Sequence, residues 1–75
     1  MTNEQVTSLL KDAQKLWITW KDVPITLYGR KEDWEKITGT ARRIVEEHGN
    51  TERVHALVNF FVEELHQRAE QREGT

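Results

Sequence analysis

The side chains of this chain that can do chemistry are few and widely spaced. His48, His55 and His66 are its conventional nitrogen ligands, and it has no cysteine. His55 and His66 share one polar helical stripe with Glu52, Asn59, Glu63 and Glu70. Three turns separate them by roughly 16 Å, too far for both to ligate one metal ion. No HExxH or comparable spacing occurs, so the stripe reads as a solvated helix face, and no metal or other cofactor is expected. His48 falls on the apolar side of a helix's last turn, where the helix dipole favours a cation.

Nucleophilic and acid–base chemistry find equally little. Ser8 is the only serine and has no histidine near it in sequence. The adjacent acids Glu46-Glu47 and Glu63-Glu64 point to different helix faces, so neither is a ready carboxylate dyad. Gly29-Arg30-Lys31 lacks the remaining spacing of a phosphate-binding loop. A helical chain of 75 residues also has little volume for a substrate pocket. No catalytic residue is assigned, and the chain is not expected to be an enzyme.

Arg30, Lys31, Lys36, Arg42 and Arg43 form the densest basic cluster. Residues 1–45 carry eight Lys/Arg and six Asp/Glu, and residues 46–75 carry three and seven, so the net −2 divides into +2 and −4. Phosphate recognition calls for a basic excess or a dense basic stripe. Here Glu32, Asp33, Glu35, Glu46 and Glu47 interrupt the cluster. The segments flanking Gly49-Asn50-Thr51 have the outline of a helix-turn-helix, whose second helix reads bases from its N-terminal end. That end offers Glu52, Arg53, His55 and Asn59, one arginine among acids. A nucleic-acid-binding module using the basic cluster is therefore the alternative function rather than the first.

The elements carrying these residues are legible from apolar spacing. Val6, Leu9, Leu10, Ala13, Leu16, Trp17 and Trp20 recur at helical intervals, behind Thr2 and Gln5 with capping-box spacing. This predicts a helix from about residue 4 to Trp20, ended by Pro24, which disfavours helical backbone at Val23. A second helix is expected from Arg30 or Lys31 to His48, on Trp34, Ile37, Ala41, Ile44 and Val45, with Glu32, Asp33 and Glu35 in its first turns. Gly49 suits its C-cap, and Asn50 or Thr51 the next N-cap. Gly39, inside that helix, faces away from the stripe. A third helix follows from Glu52 to Gln67 or beyond, on Val54, Leu57, Val58, Phe61, Leu65 and Ala69, with residues 68–75 expected to fray as a polar tail.

Short connections between amphipathic helices predict a single all-α domain, a small three-helix bundle with an extended apolar connector between helices 1 and 2. The competing α+β reading makes a short hairpin of residues 16–28, where Trp, Ile, Thr and Tyr favour strands. Lys21-Asp22-Val23-Pro24 lacks a tight-hairpin signal, which favours the helix.

The aromatic junction from Leu16 to Tyr28 carries the functional expectation. Trp17, Trp20 and Trp34 fit a core, whereas Ile18, Val23, Ile25, Leu27, Tyr28 and Phe60 exceed what one small core can absorb. Surplus apolar residues on a charged chain imply a protein interface, with another protein or within a homodimer. The chain therefore reads as a small non-catalytic protein-binding module, a regulator, inhibitor or assembly adaptor. Its apolar runs are too short for a membrane span, and Met1-Thr2-Asn3-Glu4 has no signal-peptide character, so a cytoplasmic setting is expected.

Overall fold

A computed structural model describes residues 1–29 and 31–73. It contains three helices, α1 (Asn3–Trp20), α2 (Lys31–Glu47) and α3 (Glu52–Glu73), each packed against both others. No strand occurs among the described residues, and α1 stays helical through Trp20, which excludes the hairpin at 16–28.

Each boundary has a local cause. The Gln5 amide donates to Thr2 Oγ1 at 3.1 Å, and the Thr2 amide donates to Gln5 Oε1 at 2.8 Å, completing the capping box of α1. Its last turn closes through the Lys21 amide on the Trp17 carbonyl, just before Pro24 removes a donor. At the end of α2 the chain turns through Gly49 at φ 97° and Asn50 at φ 53°. The Asn50 amide reaches back to the Val45 carbonyl at 2.9 Å, the long bond of a Schellman motif. Thr51 then caps α3, its Oγ1 accepting from the Val54 amide at 3.3 Å.

The core consists of Leu9, Ala13 and Leu16 from α1, Ile37, Ala41, Ile44 and Val45 from α2, and Val54, Val58, Leu65 and Ala69 from α3. Ile25 joins it from the connector at 4% exposure. That corrects its expected place on a binding surface: the extended segment turns Ile25 inward, into the open end of the bundle. The Val23 amide bonds the Trp20 carbonyl, and the Ile25 amide bonds the Val23 carbonyl at 2.8 Å. Two further bonds pin the connector to both neighbours. Trp34 Nε1 donates to the Thr26 carbonyl at 3.0 Å, and Arg72 Nη1 donates to the Ile25 carbonyl at 2.8 Å.

That last contact lies in the segment expected to fray. The helix continues to Glu73, Ala69 is fully buried, and Arg68 stacks on Trp17. The composition from residue 68 is polar, but Ala69 packs inward while the guanidinium groups of Arg68 and Arg72 meet the Trp17 ring and the Ile25 carbonyl. Gly74 and Thr75 lie outside the described residues.

The bundle measures 43 × 19 × 17 Å, with a radius of gyration of 13.0 Å. A compact chain of this length would have about 11 Å. The elongated shape leaves a hollow between α1 and α2, lined by Asp12, Lys15, Arg43 and Glu47.

Candidate protein-binding face and polar clusters

On α1, Val6, Leu10 and Trp17 fall within an arc of roughly 40° on the helical wheel. Trp17 fixes where that arc looks: its ring lies 6.0 Å from the Phe61 ring of α3, and the Arg68 guanidinium sits 4.6 Å above it. The arc therefore borders the α1–α3 junction. From α3 the same junction receives Phe61 and Leu57, both half-buried, with Phe60 beside them. Phe60 and Phe61 meet edge to face, centroids 5.5 Å apart at 88°, an arrangement favoured by the ring quadrupoles.

Val6 is 40% exposed, Leu10 50% and Phe60 63%. The sequence stripe placed Val6 and Leu10 in the core, and the structure corrects this. They lie at the edge of the stripe, roughly 60° or more from its buried centre at Leu9 and Leu16. An apolar row on α1 and the Phe60–Phe61 pair on α3 thus border the same junction, marked by the Trp17–Phe61 contact. Beside the aromatic pair, Arg68 and Glu64 approach each other at 3.4 Å.

The other expected contact residues do not assemble with it. Ile18 is 55% exposed on the opposite, solvent side of α1. Tyr28 is exposed at the connector, whereas Leu27 is half-buried and Val23 packs against the core. Only Phe60 of the sequence-derived set lies on the α1–α3 face.

The basic cluster also separates. Lys31 and Arg42 lie on one flank of α2, and Lys36 and Arg43 on the other, about 120° away by helical rotation. All four are exposed, and Glu35, Glu46, Asp33 and Glu47 occupy the arcs between or beside them. Arg30 lies outside the described residues. Arg43 lines the α1–α2 groove with Lys15, Asp12 and Glu47, while Arg42 borders the shallow hollow near Trp34 and Gly39. The four cations therefore spread over two flanks of the exposed side of α2, with acids between and beside them.

Each histidine has a partner. His55 Nε2 lies 2.6 Å from Asn50 Oδ1 across the α2–α3 turn. His66 Nδ1 lies 3.3 Å from Glu70, with its ring against Trp34 at 5.8 Å. His48 Nε2 lies 2.7 Å from Asp12 Oδ2, joining the end of α2 to the middle of α1. Glu47 completes this last cluster: one donor atom from each of Asp12, Glu47 and His48 falls within 4.8 Å of the others. Sequence reasoning missed the grouping because Asp12 and His48 are 36 positions apart. It assigned His48 to the helix dipole, whereas the folded chain supplies a carboxylate.

No helix among the described residues is long and apolar enough to cross a membrane. Comparison of the chain with known protein families, with curated proteins and with solved structures finds no match.

Proposed function

We propose that this protein is a non-catalytic binding module that acts by receiving an amphipathic helix of another protein along the α1–α3 face, as a regulator, inhibitor or adaptor. The observation that carries this reading is the exposure of Val6, Leu10 and Phe60 on the α1 and α3 faces that border the Trp17–Phe61 contact. Large apolar groups cost free energy in water, and several on one face mark a contact surface. From Val6 to Trp17 the α1 row spans roughly 16 Å, the length of three turns of a docked helix. The exposed apolar side chains of this face favour a partner whose contact face is apolar.

The nucleic-acid alternative draws less support, since its four described cations lie on two flanks of α2. A photo-crosslinking side chain at position 60 or 10, introduced in the native host, tests the preferred reading. The expected product is a covalent adduct with one defined partner protein, lost when the probe is moved to the exposed α2 position 39. Adducts only with a second copy of the chain would make the face a homodimer interface instead. Crosslinks with nothing at either position, together with salt-sensitive DNA or RNA binding, would overturn it.

A further inference from the structure

We propose that Asp12, Glu47 and His48 form a binding site for a divalent transition-metal ion of the zinc class, clipping α1 to the end of α2. The donors come from two elements that meet only in the folded chain, and one donor atom of each already lies within 4.8 Å of the other two. The His48 side chain is nine-tenths buried, at 10% exposure, so its imidazole is held in place rather than waving in solvent. One imidazole nitrogen and two carboxylate oxygens form a mixed set that suits zinc, cobalt or nickel, whereas calcium and magnesium take oxygen ligands.

The geometry needs only side-chain adjustment. Ligand distances of about 2.0–2.2 Å place tetrahedral donors roughly 3.4 Å apart. His48 Nε2 and Asp12 Oδ2, now at 2.7 Å, open by less than an ångström, and the Glu47 carboxylate swings inward. Glu47 is exposed and ends α2, and its carboxylate has no hydrogen bond or ion pair among the described residues that the rotation would break. The site also sits at the C-terminal end of α2, whose dipole favours a cation. Lys15 and Arg43 line the same groove beside Asp12 and Glu47 and oppose the ion by like charge. With three protein donors, a fourth position stays open to solvent or to a donor from a partner.

The competing account is that Asp12 and His48 form an ion pair and nothing more. Titration of the full chain with zinc and with cobalt, magnesium serving as control, separates the two by calorimetry, thermal melting and the visible spectrum of the cobalt form. The expected result is one zinc or cobalt ion per chain, a raised melting temperature, and no response to magnesium. Glu47→Gln decides the matter, because Glu47 makes no contact that the metal-free fold needs. Its metal-free melting temperature should match the parent while zinc affinity falls about tenfold or more, as expected for losing a ligand. His48→Ala should abolish the response, and Arg43→Gln should tighten binding by removing a like charge. Absence of binding at millimolar zinc would overturn the site. So would zinc affinity unchanged in both Glu47→Gln and His48→Ala, which would assign the ion to His55 or His66.

Discussion

Two apolar side chains that looked alike in sequence have opposite fates, and truncating each one separates core from contact surface. Ile25 is 4% exposed and makes part of the core, whereas Phe60 is 63% exposed and its edge-to-face neighbour Phe61 is half-buried. Ile25→Ala removes buried methyl groups and leaves a cavity, at a cost of about 2–5 kcal/mol. A domain this small has only about 3–5 kcal/mol in total. A chemical denaturation curve should therefore show Ile25→Ala largely unfolded in buffer. Phe60→Ala, a surface change, should stay within about 0.5 kcal/mol of the parent in the same experiment. If Phe60→Ala melts the protein instead, Phe60 is a structural residue and the proposed face loses its exposed α3 residue.

At the scale of the elements, the two glycines of the α2 region predict opposite signs for the same substitution. Gly39 lies within α2, and a Cβ built there meets nothing within 4 Å. Gly39→Ala should stabilise by up to about 1 kcal/mol, through helix propensity and a less flexible unfolded chain. Gly49 has equal space around it but a φ of +97°, a conformation L side chains rarely adopt. Gly49→Ala should therefore destabilise by roughly 1 kcal/mol. Thermal melts of the two variants should move in opposite directions from the parent. The end of α3 gives a second test at this scale. Arg72 donates to the carbonyl of buried Ile25, 47 residues earlier. Arg72→Ala should accelerate amide exchange both in the last turns of α3 and around residues 23–26, because the Arg72–Ile25 bond joins the two segments. Faster exchange confined to α3 would show that the connector is held by Ile25 packing and Trp34 alone.

For the whole molecule, the rod shape and the distribution of charge make the two functional readings behave differently in solution. The described cations of α2 point to two flanks, and the chain carries a net −2. Mobility-shift or anisotropy measurements should show no appreciable binding to double- or single-stranded nucleic acid near physiological salt. Binding with a steep salt slope, reduced by Arg42→Ala with Arg43→Ala, would reverse the ranking of the two functions. Sedimentation of the parent against Leu10→Ser with Phe60→Ala should show whether the exposed apolar residues also drive self-association: a mass that falls to the monomer only in the double variant would assign the face to a second copy.

The helices themselves were legible because their causes are local. The capping pair Thr2 and Gln5, the break before Pro24, the Gly49 turn and the Thr51 cap all act over a few residues, and apolar periodicity gives the direction of each side chain. Three such stripes on a short chain leave a bundle as the natural way to bury them. Direction does not decide coverage. Whether Leu10 is buried or Phe60 is solvated depends on how much of a stripe the neighbouring helix can cover, which is a property of packing. Composition likewise says nothing of the contacts in the last turns of α3, since Arg68 and Arg72 depend on Trp17 and the Ile25 carbonyl being there to meet them. The clearest case is the cluster at the end of α2. Asp12 lies 36 positions from His48, and no spacing rule joins them. Only the pairing of α1 with α2 sets a carboxylate against that imidazole, because a contact between distant residues is fixed by how helices pack and not by either helix alone.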